Sequence, residues 1–138
     1  MKAYFDASVI LRIILGDSAR LKGWEKLEER VTSDLAEVES LRTLDRMQIT
    51  GVLDEEEVIV RRVALYDFLR TMKSIQISPP ILQRAAAPLP MVLGTLDAIH
   101  LATALSWRDE MEPELAFATH DKALGRAALA FGFKTLGV

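Results

Sequence analysis

The amino-acid sequence predicts an α/β protein, a three-layer α/β/α sandwich around a central, mainly parallel sheet of about five strands. Two observations lead to this prediction. Short segments with strand composition alternate with longer segments of helical composition, and no repeat, low-complexity tract or Gly/Ser-rich linker divides the 138 residues. Strands separated by helical crossovers pair in parallel and carry helices on both faces of the sheet. We therefore expect residues 1–138 to form a single domain.

Five segments are strand candidates because they are short and rich in aromatic, β-branched or other apolar residues. In chain order they are Lys2 to Phe5, Arg30 to Thr32, Ser74 to Ser78, Leu115 to Thr119 and Lys134 to Leu136. The third reads Ser-Ile-Gln-Ile-Ser, an alternation typical of a strand with one buried face.

Seven longer segments have helical composition. In chain order they are Ala7 to Leu15, Ser18 to Glu29, Asp34 to Ile49, Asp54 to Met72, Pro79 to Ala87, Thr95 to Met111 and Lys122 to Phe131. Asp34 and Glu37 have the spacing of a capping box at the start of the third segment. The acidic run from Asp54 to Glu57 is typical of an exposed first helical turn.

The composition excludes several classes of protein. Half of the residues are apolar and 27% are charged, so the chain can bury a core, and the absence of cysteine excludes a disulfide framework and Cys-based zinc sites. The start of the chain lacks the cleavage region of a signal peptide, and the apolar runs are far shorter than the ~18 residues of a membrane span. We expect a cytoplasmic protein that does not enter the membrane. The net charge of −3 argues only mildly against a nucleic-acid enzyme, because acidic residues gathered for a metal also lower it.

Acidic residues follow three of the predicted strands. Asp6 follows the first strand, Glu37 and Glu39 come after the second, and Asp121 follows the fourth. Ligands of open parallel sheets bind beyond the carboxyl ends of the strands, so we expect these acids to gather at one edge. Taken singly, Asp6 and Asp121 also suit the N-caps of the helices that follow them, and Ser8 suits the same role.

Asp97 lies in a segment that is apolar on almost every face, so we expect it on a helix that is buried on several sides. Burial of a carboxylate costs several kcal/mol, whereas a helix N-terminus contributes only about 0.3 to 1 kcal/mol. No Lys or Arg stands three or four residues away, and only His100 shares its face. A cation from elsewhere is therefore expected, unless Asp97 caps neighbouring N–H groups.

Several acids at one edge repel one another unless a divalent cation gathers them. Mg²⁺ and Mn²⁺ prefer oxygen ligands and retain some of their water. Such cations promote attack of water on a phosphodiester and stabilise the charge on its oxygens. The pattern favours a metal-dependent hydrolase. The residues alone leave open whether Glu37 or Glu39 takes part, since Glu39 also has ion-pair spacing to Arg42.

Four sequence blocks together resemble a PIN-domain nuclease, in particular the VapC-type toxins of toxin–antitoxin pairs. The blocks are Phe-Asp6-Ala-Ser8, Ser33-Asp-Leu-Ala-Glu-Val-Glu39-Ser-Leu-Arg42, Leu96-Asp97-Ala-Ile-His-Leu-Ala-Thr-Ala104 and Ala-Thr119-His-Asp121. The resemblance covers essentially the whole chain, and its third block is the most specific. One departure is the stretch from Val92 to Thr95, which lacks the basic residue that many members carry there.

The resemblance implies a PIN-like fold and a set of site residues. The acidic quartet that would hold the metal and carry catalysis is Asp6, Glu39, Asp97 and Asp121, with Ser8 and Thr119 as polar supports and Arg42 as a candidate for substrate contact. Glu39 is preferred to Glu37 because it fits the S-x-L-x-x-x-E-x-x-R pattern. The family further implies ribonuclease activity with Mg²⁺ or Mn²⁺, an RNA substrate, a homodimer and a cognate antitoxin.

Two other functions remain open at this point. A PIN-like fold can serve as a non-catalytic binding module in an RNA or protein complex, with its acids in structural roles, and a nuclease of this kind can also be a housekeeping RNA-processing enzyme. Other α/β enzymes fit less well. A phosphatase of the haloacid dehalogenase type needs Asp-x-Asp after the first strand, where Ser8 stands in the second position, and neither Gly-rich nucleotide-binding signature is present.

Overall fold

The computed structural model describes residues 1–138 and contains five parallel strands, six α-helices and one short 3₁₀ helix. The strands are β1 (Lys2–Phe5), β2 (Glu29–Ser33), β3 (Lys73–Ile75), β4 (Ala116–Ala118) and β5 (Thr135–Leu136). The helices are α1 (Ala7–Ile14), α2 (Asp34–Ile49), α3 (Glu55–Leu69), α4 (Pro79–Ala86), α5 (Thr95–Glu110) and α6 (Lys122–Ala130). The predicted fold class, a three-layer sandwich on a parallel sheet, is confirmed.

The order of the strands places β1 at the centre of the sheet, as β3-β2-β1-β4-β5. The chain winds outward through β2 and β3 on one side of β1 and through β4 and β5 on the other, so the junction of β1 and β4 is the topological switch point. Phe5 is in register with Ala118 there. The residues that follow them, Asp6 and Thr119, therefore leave the sheet side by side, where open α/β sheets bind their ligands.

The two faces of the sheet carry separate apolar clusters because successive strand residues point to opposite sides. Ala3 and Phe5 of β1 pack in a cluster with residues of α1, α2 and α3. Tyr4, between them, packs in a second cluster with residues such as Leu101 of α5 and Leu124 of α6. Helix α4 packs on α5. Three helices therefore cover each face of the sheet. None of the helices is long and apolar enough to span a bilayer.

One predicted helix, Ser18 to Glu29, is wrong. The segment forms turns and a single 3₁₀ turn, Trp24–Lys26, and its last residue begins β2. Two local features explain the difference. Asp17 accepts a hydrogen bond from the amide of Ala19 at 2.7 Å, which bends the backbone, and Gly23 has a φ of 76°, which a helix cannot include.

The capping box predicted for Asp34 and Glu37 is also wrong. Ser33 is the N-cap of α2 and makes no side-chain cap bond. A capping box forms instead at α3, where Asp54 and Glu57 bond to each other's backbone N–H groups. In α2, Asp34 is already the first helical residue, one position too late for the cap.

Candidate active site at the carboxyl edge of the sheet

Asp6 follows β1, caps α1 and is almost fully buried. Its Oδ1 accepts hydrogen bonds from the Ser8 hydroxyl at 2.6 Å and the Val9 amide at 3.2 Å, and its Oδ2 accepts one from the Thr119 hydroxyl at 2.6 Å. Burial raises the pKa of the Asp6 carboxyl, and the bonds from Ser8 and Thr119 oppose that rise. The chain itself therefore fixes the orientation of Asp6.

The same two hydroxyls tie Asp6 to the turn between β4 and α6. Ser8 Oγ accepts a hydrogen bond from the His120 amide at 2.9 Å, and Thr119 Oγ1 accepts one from the Asp121 amide at 3.0 Å. Because β1 and β4 are paired, these bonds set the backbone of Asp121 at a fixed position relative to Asp6.

Asp121 is exposed and caps α6. Its Oδ1 accepts a hydrogen bond from the Leu124 amide at 2.8 Å. An N-cap carboxylate uses one oxygen for the helix and leaves the other available to solvent or to a ligand. The cap role expected for Asp121 from the sequence is therefore compatible with a second role at the edge of the sheet.

Asp97 lies in the first turn of α5 and is half-buried. No hydrogen bond or ion pair within the chain reaches its carboxylate. Burial raises the pKa of the Asp97 carboxyl, and the charges of Asp121, Asp6 and Glu39 raise it further, while His100 acts in the opposite direction. Asp97 therefore lies close enough to Asp121, Asp6 and Glu39 for their negative charges to disfavour its ionised form.

Glu39 projects from α2 and binds a histidine of α5. Its Oε1 accepts a hydrogen bond from His100 Nε2 at 2.5 Å. The other ring nitrogen, Nδ1, lies 2.7 Å from the hydroxyl of Tyr4, which lies 3.1 Å from Ser33 Oγ. Because a carboxylate can only accept, Nε2 of His100 is the donor in its contact with Glu39. A buried series of hydrogen-bonded side chains thus orients Glu39.

Arg42 lies away from this chain of contacts. It is exposed and pairs with Asp45 at 3.1 Å. The ion pair between Glu39 and Arg42 that the sequence left open is therefore wrong, because each residue has a different partner. Glu37, two residues and about 200° of helix away from Glu39, cannot point at the same position.

Tyr4 and His100 are the residues of this site that sequence reasoning missed. The sequence identifies His100 only as the residue that shares the helix face of Asp97, and it does not predict the contact with Glu39. One signal was present: strand residues alternate, so Tyr4 and Asp6 lie on the same face of the sheet, and His100 follows Asp97 by three helical positions.

The donor chemistry of the site fits a hard divalent cation, since all four candidate ligands are carboxylates and none of them pairs with a Lys or Arg. The four carboxylates are spaced too widely to form a closed coordination shell, because no three Asp, Glu or His side chains converge closely enough to hold one ion. An ion at this edge would bind one or two carboxylates directly and the others through water, which is how proteins usually hold Mg²⁺.

Comparison with known proteins extends these observations. A family model described as PIN domain matches residues 3–129. The curated protein Ribonuclease VapC47 of Mycobacterium tuberculosis (strain CDC 1551 / Oshkosh) is 26% identical over 139 residues, which cover 96% of this chain and 93% of that protein.

Solved structures share the fold. A toxin–antitoxin complex from Klebsiella pneumoniae contains a chain that is 23% identical, with a TM-score of 0.62 and coverage of 88% of both chains. VapBC2 from Rickettsia felis, bound to a DNA fragment from their promoter, contains a chain that is 11% identical, with a TM-score of 0.66 and coverage of 98% of this chain and 97% of that one. PAE2754 from Pyrobaculum aerophilum is 16% identical, with a TM-score of 0.66 and coverage of 98% of this chain and 83% of that one.

Proposed function

This chain belongs to the PIN domain family, and from that membership we propose that it is a metal-dependent endoribonuclease and the toxin of a toxin–antitoxin pair. One observation carries the proposal. Asp6, Glu39, Asp97 and Asp121 come from four separate segments of the chain, the charges of the other three raise the pKa of Asp97, and none of the four pairs with a Lys or Arg. The name of the relative, Ribonuclease VapC47, supports RNA as the substrate.

The ion in this proposal is Mg²⁺ or Mn²⁺; Asp6 and Asp97 would bind it directly, and Glu39 and Asp121 would act through water, at a second ion or by orienting the nucleophile. When bound, such an ion lowers the pKa of water and stabilises negative charge on phosphate oxygens. The chain supplies the rest. Ser8 and Thr119 orient Asp6 through their hydrogen bonds, and His100 orients Glu39.

Each acid then has a definite role. Asp6, held by its hydrogen bonds, would fix the position of the ion, and the unpaired Asp97 would lose no internal hydrogen bond on binding it. Glu39 would orient a water molecule and could accept its proton, since only its Oε1 is engaged by His100. Asp121 provides negative charge at the solvent side of the edge.

The test is cleavage of labelled single-stranded and structured RNA by the purified protein in Mn²⁺. We expect cleavage that EDTA abolishes and excess Mn²⁺ restores, and no cleavage by D97N under the same conditions. Cleavage that continues undiminished in EDTA contradicts the metal mechanism. Retention of RNA without any cleavage indicates instead a binding module.

An antitoxin partner is proposed because two of the structural relatives come from toxin–antitoxin or VapBC assemblies. We expect a small open reading frame with a DNA-binding N-terminal segment beside the gene for this chain, and we expect its product to co-purify with a homodimer of the chain and to block cleavage. A solitary gene whose product cleaves RNA supports a housekeeping nuclease instead.

A further inference from the structure

A cavity of about 510 Å³ lies between α1, α6 and the last turn of the chain. Only two of its nine lining residues are apolar, and three are cations: Arg12 from α1, and Lys122 and Arg126 from α6. No Asp or Glu side chain lines it. We call this cavity, with these three cations, the basic cavity.

The cations of the basic cavity have no acidic partners. None of the three forms an ion pair, although six other basic side chains of the protein do so, among them Arg84 with Asp109 and Lys2 with Glu112. Arg12 makes one long contact, from its Nη1 to the carbonyl of Ala19 at 3.3 Å. In a protein of net charge −3, three unneutralised cations around one concave surface create a local positive potential that attracts anions.

The basic cavity adjoins the acidic edge. His120 and Lys122, which line it, stand on either side of Asp121 in the chain. The amide of His120 donates to Ser8 Oγ, and Ser8 in turn donates to Asp6. Each helix also presents its cation one turn from a site residue or from another cation, since Arg12 follows Ser8 by four positions and Arg126 follows Lys122 by four.

From this juxtaposition we propose that the basic cavity binds a backbone phosphate of the RNA strand, beside the bond that is cut. The inference rests on the proposed function, since the acidic edge then holds the reacting phosphate. An acidic edge repels RNA, and cations next to it offset that repulsion while they set the path of the strand. The contact reads backbone charge and carries no base preference.

The experiment measures binding of a fluorescent single-stranded RNA oligonucleotide by anisotropy at several salt concentrations, in a D97N background so that the RNA stays intact. We expect R126Q and R12Q each to weaken binding several-fold at low salt and to reduce the slope of log Kd against log salt by about 0.7. R126K, which keeps the charge, retains most of the affinity. The matched control is R62Q on α3, where the arginine is exposed and forms no ion pair. Thermal melts establish that each variant is folded.

Several results overturn the proposal. Unchanged affinity and slope in R126Q and R12Q do so, as does an equal loss in R62Q, which indicates a general effect of net charge. Loss of antitoxin binding with RNA binding intact assigns the cavity to an acidic protein segment instead. Cleavage by the otherwise wild-type protein in Mn²⁺ is scored separately. RNA binding that depends on Arg126 without any cleavage therefore refutes the proposed function and leaves the basic cavity standing.

Discussion

Asp6 and Asp97 lie at the same edge of the sheet and differ in what holds them. Asp6 accepts three hydrogen bonds from Ser8, Val9 and Thr119, so its carboxylate is part of the packing between β1 and β4. Asp97 accepts no hydrogen bond from the chain. Burial and the charges of its acidic neighbours raise the pKa of its carboxyl. Burial raises the pKa of both carboxyls, but hydrogen bonds from Ser8, Thr119 and Val9 offset the cost of burial at Asp6, whereas at Asp97 burial and neighbouring negative charge lower stability with no such bonds. Mutations at the two positions therefore separate these contributions.

The largest expected effect is the loss of cleavage in D97N and D6N, by about a thousandfold or more in each, because a lost ligand removes several kcal/mol of transition-state stabilisation. Stability should distinguish the two variants. D97N keeps or gains stability, since a repulsive charge is removed. D6N loses about 1 kcal/mol, because its amide places a donor opposite the donating hydroxyl of Thr119. Urea unfolding and rates at saturating Mn²⁺ check both. Equal destabilisation of the two variants would contradict the comparison.

The next effect separates Glu39 from Glu37 on α2. We expect E39Q to lower the cleavage rate by two orders of magnitude or more, because a neutral amide cannot replace a carboxylate as an ion ligand or proton acceptor. E37Q is the matched control and should leave the rate nearly unchanged. Paired rate measurements at saturating Mn²⁺ decide between them. A larger loss in E37Q means that the site lies on the other face of the helix.

A smaller effect concerns the metal-free protein and pH. The raised pKa of Asp97 means that the folded state binds more protons than the unfolded state above the ordinary value of 3.8, so this group lowers stability as pH rises through the raised pKa. The melting temperature of D97N should therefore exceed that of wild type by more at pH 7 than at pH 4. Added Mn²⁺ at pH 7 should raise the melting temperature of wild type but hardly that of D97N.

Asp109 provides a control of opposite sign for that experiment. The hydrogen bond from Arg84 lowers the pKa of the Asp109 carboxyl, so its contribution to stability is present at neutral pH and is lost as pH falls. The melting temperature of D109N should therefore fall further below that of wild type at pH 7 than at pH 4. If D97N and D109N follow the same pH trend, the unpaired state assigned to Asp97 is wrong.

The smallest effect tests the orientation of Glu39 by His100. Y4F removes the hydroxyl that contacts His100 and Ser33, and we expect it to cost about 1 kcal/mol of stability and a several-fold loss of rate. Y66F, at an exposed tyrosine of α3, is the control and should change neither quantity. If Y4F cleaves at the wild-type rate once corrected for folded fraction, the ring of His100 is held by packing alone.

Much of this architecture can be read from the sequence, because it depends on local pattern. The alternation of short strands and longer helices predicts the parallel sheet, and topology places the acids that come after β1 and β4 at its edge. The helix predicted from Ser18 to Glu29 failed because the turn at Asp17 and the left-handed Gly23 outweigh the composition of the segment. The contact of Glu39 with His100 could not be read, since it depends on how α2 and α5 lie relative to each other across the sheet. The ion-pair partner of Arg42 could not be read for a related reason, because several acids on α2 compete for this one cation.

The bond between Asp6 and Thr119 joins positions 113 residues apart, and it has a consequence for synthesis on the ribosome. A nascent chain that has completed α5 already contains Asp6, Glu39 and Asp97, yet it lacks Asp121 and the Thr119 hydroxyl that completes the orientation of Asp6. At translation rates of about 5 to 20 residues per second, the proposed nuclease therefore stays inert for nearly the whole time it is being made next to ribosomal and messenger RNA. We expect fragments released by premature termination before β4 to be inactive for the same reason.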